Sequence, residues 1–189
     1  MSAVLTEMAH YCGLPMFSTS GCTDTKKLEL QSGVEAALSI HAAMLSGAEF
    51  VHDNGYTESG ITGDVFQLVL DDEIIGMARC IERGIEVTPE TMAVDVIGAV
   101  GPGGHYLEQD HTLEHFRSHW RPTMMERGAH EDWEGRGRPT MRDRIIDKTR
   151  DIIEHYEGPI GQVPAEANEQ IEAILAAAEK RVAAEAGSS

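Results

Sequence analysis

A repeated alternation constrains this chain more than anything else in it. A short apolar segment, Leu14-Pro-Met-Phe-Ser18, gives way to a polar loop, Thr19-Ser-Gly-Cys-Thr-Asp-Thr25, and then to an amphipathic run. The order then recurs: Ala48-Glu-Phe-Val-His52, the loop Asp53-Asn-Gly-Tyr-Thr-Glu-Ser-Gly60, and a second long amphipathic run. Strand-like runs alternating with helix-period runs read as successive βα units with parallel strands. In such folds the chemistry sits in the loops beyond the carboxyl ends of the strands. Residues 19–27 and 52–60 are therefore the loops in which a site is expected.

The helices can be placed from their apolar spacing and their ends. Residues 1–12 read as the end of a helix. In the first long helix Val34, Ala37, Leu38, His41, Met44 and Leu45 share one stripe, which predicts a core face with His41 hydrogen-bonded within it. Gly47 ends that helix, and the next carries Val65, Leu68, Val69, Met77 and Ile81. Thr88-Pro89-Glu90 is a helix start, with a capping threonine, proline at the first helical position and an acid in the first turn. That helix presents Met92, Val96 and Ala99 and is expected to run to Gly101. A helix over His111–Trp120 is predicted to turn Leu113, Phe116 and Trp120 inward. Arg142–Glu157 is amphipathic through Ile145, Ile146, Ile152 and Ile153. Pro159 to Pro164 reads as a linker, 165–186 as a terminal helix with Ile171, Ile174, Leu175 and Val182 in a weak stripe, and Gly187-Ser-Ser189 as a frayed end.

Composition narrows the class. The 189 residues are enough for one domain with its own core. With 41% hydrophobic residues, no apolar run of membrane-spanning length and no signal-type start, the chain is expected to be soluble and cytoplasmic, without membrane contact. The formal net charge of −17 argues against nucleic acid, which requires clustered Lys and Arg, and suits a cationic substrate or partner. The 3 cysteines lack CxxC pairing, so neither a disulfide scaffold nor a thiolate metal site is indicated. Cys12 and Cys80 read as small core residues. Cys22 lies in a loop with nothing beside it to lower its pKa.

Several segments together carry a resemblance. Gly21-Cys-Thr-Asp-Thr-Lys26, Asp71-Asp-Glu-Ile-Ile-Gly-Met77, Arg83-Gly-Ile-Glu-Val87, Gly101-Pro-Gly-Gly-His105, His111-Thr-Leu-Glu-His-Phe-Arg117 and Trp120-Arg-Pro122 resemble the C-terminal part of the trimethylamine methyltransferase family. The resemblance runs over about residues 5–135. It implies a TIM-barrel enzyme that moves a methyl group from a methylated amine to the cobalt of a corrinoid (cobalamin) carried by a separate partner protein, often as an oligomer. A full member is more than twice as long, so the chain would supply the C-terminal part of a (β/α)8 barrel, about three βα units in residues 1–135. Residues 136–189 would form a helical C-terminal extension. Three units cannot close a barrel, so a homo-oligomer, or a chain supplying the N-terminal barrel half, is expected to cover the exposed faces.

Trimethylamine-specific members carry pyrrolysine, and this chain holds only ordinary amino acids. The resemblance therefore points to a quaternary amine such as glycine betaine. A quaternary nitrogen already bears the positive charge that makes it a leaving group, so the protein must only hold the cation and aim a methyl group. Aromatic faces and carboxylates hold such cations. Asp24 and His52 are the catalytic candidates, with Asp53, Tyr56, Glu58, Lys26 and His105 as substrate contacts. Asp24 supplies negative charge or is a loop acid capping the next helix, and Lys26 orders the loop or a substrate carboxylate. Tyr56 and Glu58 are contacts or plain loop residues, and His105 follows the glycine turn toward the barrel mouth. A non-catalytic oligomerising module of the same family is the alternative.

Four of the 9 histidines lie between His105 and His119, and His111-Thr-Leu-Glu-His115 fits the H-x-x-E-H pattern of a zinc hydrolase. Two histidines four apart on a helix can share a metal. A glycine turn precedes this helix, no downstream third ligand is indicated, and the resemblance accounts for the segment without zinc. No bound metal is expected, and the histidines read as a half-exposed polar ridge.

Overall fold

The computed structural model describes residues 1–156, 158 and 163–186. The chain divides into two compact units, 1–152 and 153–189. The order is α1 (Ser2–Tyr11), β1 (Phe17–Thr19), α2 (Leu30–Leu45), β2 (Phe50–His52), β3 (Tyr56–Thr57), a 3-10 turn (Glu58–Gly60), β4 (Thr62–Gly63), α3 (Val65–Glu82), α4 (Pro89–Met92), α5 (Val94–Val100), α6 (Asp110–His115), α7 (His130–Gly135), α8 (Met141–Glu154) and α9 (Ala165–Ala186). The chain is mixed α/β. β1 and β2 pair in parallel, with Phe17 opposite Phe50, Ser18 opposite Val51 and Thr19 opposite His52. β3 and β4 form a small antiparallel hairpin inside the second strand-end loop. No helix among the described residues is long and apolar enough to cross a membrane.

Ends and caps follow the local chemistry. Thr88 caps α4 by accepting the Thr91 N–H at 3.1 Å, with Pro89 as the first helical residue. Asp64 caps α3, accepting from the Phe66 and Gln67 N–H groups at 2.8 and 3.3 Å. Gly47, at φ +73, follows the end of α2 in the left-handed region where a side chain would be strained. α4 does not run on to Gly101 as its periodicity suggests. It breaks at Ala93, whose φ of 48° and ψ of 35° turn the chain before α5.

The core departs from the apolar stripes. α2 buries Ser32, Ala36, Ile40 and Ala43, while Val34, Leu38 and Leu45 of the expected core stripe are exposed and His41 is half-buried. Small residues along the buried line let α2 and α3 approach closely, so the larger aliphatics fall outside the contact. α3 buries Gln67, Leu70, Asp71, Glu73, Ile74 and Ala78, and Val65, Leu68 and Ile81 are exposed. Leu28, Met124 and Ile145 complete the apolar cluster. Leu113 and Phe116 are exposed rather than inward, and His111, Thr112 and His115 are the half-buried residues of α6. Cys12 is exposed at the end of α1 and Cys80 is half-buried, so neither is a core residue. α7 has no forecast in the apolar pattern. In the second unit Ile171, Ile174 and Leu175 of α9 are exposed. Most of the expected 159–164 linker, and the Gly187–Ser189 end, lie outside the described residues.

Glu73 explains how the segment after α6 is held. Its carboxylate accepts the Thr123 N–H at 2.7 Å, the Thr123 hydroxyl at 2.9 Å and the Met124 N–H at 2.9 Å. One turn on, Trp120 lies over Gly76 so closely that a Cβ there would come within 3.0 Å of its indole nitrogen. Acid and glycine in Asp71-Asp-Glu-Ile-Ile-Gly-Met77 thus have separate packing jobs. Glu73→Ala is expected to lower stability by about 1–3 kcal/mol, because the buried Met124 N–H and the two Thr123 donors lose their shared acceptor. Urea unfolding followed by circular dichroism measures it, and a change under about 0.5 kcal/mol, the range of ordinary surface substitutions, would remove Glu73 from this role.

Candidate functional site

The two strand-end loops lie against each other, joined through their backbones. Beyond β1 and β2 the Ser20 N–H donates to the His52 carbonyl at 2.9 Å, and the Thr23 N–H to that of Tyr56 at 3.0 Å. Glu58 and Ser59 return the contact by donating to the Thr25 and Thr23 carbonyls at 2.9 and 3.0 Å. Parallel pairing thus continues as a loop-to-loop ladder that fixes residues 20–25 against 52–59. Side chains beneath it are polar and buried: Ser18, Ser20, Thr23, Thr25 and Thr57.

Asp71 anchors this ladder from below. Its carboxylate accepts the Gly55 N–H at 2.7 Å and the Gln67 amide at 2.8 Å, so one acid of α3 holds the tip of the second loop. Gly21 passes so close that a Cβ would come within 2.4 Å of Asn54 Oδ1 and 2.8 Å of Asp71 Oδ2. Only glycine fits there, and its φ of +76° adds a second reason. Asp53, Glu58 and Ser59 adopt φ of 75°, 53° and 56°. Side-chain-bearing residues in the left-handed region concentrate in loops whose shape serves function.

Most of the expected site residues lie on this rim. Asp24 Oδ1 accepts the Ser59 hydroxyl at 2.7 Å, and the Asp24 N–H donates to Glu35 at 2.9 Å. Lys26 Nζ donates to the Asp24 carbonyl at 2.9 Å. Glu58 accepts the Thr62 hydroxyl at 3.1 Å. His52 Nδ1 lies 2.6 Å from Asp53 Oδ1, and its ring stacks on Phe17 with centroids 4.1 Å apart. Phe17 stacks in turn on Phe50 at 5.0 Å, a pair of exposed rings on the open face of the sheet. Tyr56 is partly exposed on β3. His105 stands apart: it is exposed on the glycine turn, and among the described residues no hydrogen bond, ion pair or ring contact joins it to the rim.

The rim is strongly negative. Burial, with the carboxylates of Asp53, Asp24, Asp71 and Glu35, raises the Cys22 thiol above its ordinary pKa and keeps it protonated. A nucleophilic thiolate is disfavoured there, whereas a cation is welcome. Asp71 and Glu35 escape a reading of the loops because they sit on helices. The signal for Asp71 was its place in a helical stretch otherwise spaced for a core. A concavity of about 780 Å³ beside α2, α3 and the start of α8 is elsewhere and mostly apolar, through Leu28, Leu30, Leu70, Ile74 and Met77 among others.

This is an α/β protein whose two parallel strands deliver a paired, acid-rich loop rim at their carboxyl ends. Residues 1–183 match the family model described as trimethylamine methyltransferase (MTTB), and the chain belongs to that family. The match runs on past position 135, where the motif-based resemblance stops. The chain is 33% identical over 156 residues to trimethylamine methyltransferase MttB of Desulfitobacterium hafniense, covering 82% of this chain and 32% of that protein. It is 32% identical over 181 residues to a glycine betaine methyltransferase of strain Y51 of the same organism, covering 95% and 37%. With trimethylamine methyltransferase MttB2 of Methanosarcina mazei it shares 30% over 182 residues, covering 95% and 36%. The chain thus spans about a third of the length of these relatives.

Burial raises the Asp71 carboxyl from 3.8 to about 6, against the lowering effect of its hydrogen bonds from Gly55 and Gln67. The folded chain therefore keeps a proton that the unfolded chain has already released, and stability falls as pH rises from about 4 to about 6. Among the described residues Asn54 Oδ1 and Gln67 Oε1 are buried without a hydrogen-bond partner, and the Gln67 amide already bonds Asp71. An amide at position 71 then has acceptors nearby, so Asp71→Asn is expected to fold. Relative to wild type it gains on the order of 2 kcal/mol between pH 4 and pH 6.5. Parallel urea titrations of the two chains measure the difference, and a constant gap across the window would rule out Asp71 as the titrating group.

Proposed function

We propose that this chain is the C-terminal part of a (β/α)8-barrel amine methyltransferase, and that its loop rim holds a quaternary ammonium such as glycine betaine while a methyl group leaves for a corrinoid protein. The observation that carries the reading is the gathering of Asp24, Glu35, Asp53 and Asp71 around Cys22 at the carboxyl ends of adjacent parallel strands. A permanent cation needs such a field and needs no proton, which fits a rim without an activated thiol. A relative 32% identical over 95% of this chain is a glycine betaine methyltransferase.

Each rim group has a task in this reading. Asp24 and Asp53 supply charge to the ammonium, and Glu58 reinforces them. His52, oriented by Asp53 and stacked on Phe17, presents a flat face against which methyl groups pack. Tyr56 adds an aromatic face. The Lys26 ammonium is anchored on the Asp24 carbonyl and is free to meet a substrate carboxylate. His105 would reach the mouth only through the glycine turn. In this reading the corrinoid is carried by a partner protein that docks at the rim. That group supplies the methyl acceptor, and this chain's residues bind, orient and exclude water.

The barrel reading divides the chain at about residue 135, with a helical extension after it, and places the protein in the cytoplasm. It also accounts for the exposed Phe17, Phe50, Val34 and Leu38 as surfaces that further barrel strands or a second copy would cover. Light scattering is expected to show self-association of the isolated chain, and a monodisperse monomer with a cooperative melt would overturn the incomplete-barrel reading. With a protein that completes the barrel, methyl transfer from glycine betaine to added cob(I)alamin should fall about 10–100-fold in kcat/KM in Asp24→Asn and His52→Ala. Transfer undiminished in both would remove the rim from catalysis. Its absence from every completed barrel would leave the non-catalytic, oligomerising reading that the exposed aliphatic faces favour.

A further inference from the structure

The histidine pair of α6 does not stand alone. Glu90, in the first turn of α4 and 21 residues before His111, brings its carboxylate to the same point. His115 Nε2 lies 3.1 Å from Glu90 Oε1 and His111 Nε2 lies 3.8 Å from it. The two imidazoles face each other with centroids 4.3 Å apart and planes tilted by 43°. The three donor atoms all fall within 4.8 Å of one another. A tetrahedral zinc with nitrogen and oxygen ligands requires donor-to-donor edges of about 3.3–3.4 Å. The two edges to Oε1 bracket that value, so only small side-chain movements are needed.

We propose that Glu90, His111 and His115 form a binding site for a divalent transition-metal ion of the zinc type, which clips α4 to α6. The donor set of two imidazoles and one carboxylate selects borderline ions such as Zn²⁺, Co²⁺ and Ni²⁺ over Mg²⁺ and Ca²⁺, which prefer all-oxygen ligands. Both histidines use Nε2, leaving each Nδ1 free to be held by water or protein. Without the ion each Nε2 serves as a donor: His111 to the Glu90 carbonyl at 2.9 Å, His115 to the carboxylate. Binding needs the other tautomer: each proton moves from Nε2 to Nδ1, which frees the Nε2 lone pair for the metal, and the Glu90 carbonyl keeps the Ala93 N–H at 3.2 Å. The third ligand that the H-x-x-E-H pattern lacks downstream is therefore supplied from upstream.

Position argues for a tie rather than for hydrolysis. The stretch between the two helices carries the break at Ala93, the Gly101–Gly104 turn and the exposed side chains of Val94, Ile97 and Leu107. Among the described residues nothing in this stretch is buried, so it is weakly held and gains from a cross-link between its ends. None of the three ligands belongs to the acid-rich rim, so the proposal does not rest on methyl transfer.

Isothermal titration of the untagged, chelator-treated chain with Zn²⁺ tests the proposal. Binding of about one ion per chain is expected, undisturbed by excess Mg²⁺ or Ca²⁺. It should be lost in the double variant His111→Ala/His115→Ala, weakened about tenfold or more in Glu90→Gln, and unchanged in His119→Ala on the same ridge. Cobalt substitution should give the intense visible absorption of a four-coordinate site. Zinc should also slow proteolytic cleavage between residues 94 and 109 in wild type but not in the double variant. Circular dichroism establishes that each variant is folded. Absence of zinc uptake, uptake that survives the double variant, or octahedral cobalt absorption would each overturn the assignment.

Discussion

A single buried carboxyl group holds the two loops of the rim in place. Asp71 sits on α3, yet its hydrogen bonds reach the tip of the second strand-end loop and its side chain crowds the glycine of the first. Without that grip, the backbone ladder between residues 20–25 and 52–59 loses its side-chain anchor on the helix, and the frame shared by Asp24, His52 and Asp53 loosens. An acid is a costly choice for such a place, because burial works against its charge. The cost is met by hydrogen bonds from Gly55 and Gln67 and by retention of the proton to a higher pH. The same group contributes to the negative field felt at Cys22, so architecture and electrostatics come from one atom set.

Belonging to the trimethylamine methyltransferase family gives the motifs a physical meaning. In Asp71-Asp-Glu-Ile-Ile-Gly-Met77 the first acid grips the rim, Glu73 holds Thr123 and Met124, and Gly76 leaves room for Trp120. In Gly21-Cys-Thr-Asp-Thr-Lys26 the glycine permits the close pass, the threonines build the buried hydroxyl layer, and Asp24 with Lys26 turns to the rim. These are packing and positioning tasks, and they account for the motif residues before any reaction is considered.

The two parallel strands, the helices that follow them and the loops worth watching were legible in the sequence, because βα alternation and caps such as Thr88-Pro89 are local signals. The buried faces were not. On α2 the residues that pack are Ala36, Ile40 and Ala43, while the bulkier Val34 and Leu38 are exposed, so the apolar stripe pointed to the wrong side. On α3 the buried line runs through Gln67, Asp71 and Glu73, which no hydrophobic pattern marks. Their partners are backbone groups far along the chain, and only the folded chain brings them together. The break at Ala93 was hidden for a similar reason: alanine carries no hint of a left-handed conformation. Five of the seven site residues, His52 to Glu58 with Asp24, share the rim and Lys26 borders it, but His105 depended on a turn whose direction spacing cannot supply.

A protein with this interior will also respond to temperature in an unusual way. The heat capacity released on unfolding rises with newly exposed apolar surface and falls with newly exposed polar surface. Here buried threonines, serines and acids outnumber buried aliphatics among the described residues, and many large aliphatics are already in contact with solvent in the folded chain. The two contributions oppose each other more closely than in an ordinary core. The chain should therefore have a shallow stability curve, changing little between cold and moderate warmth.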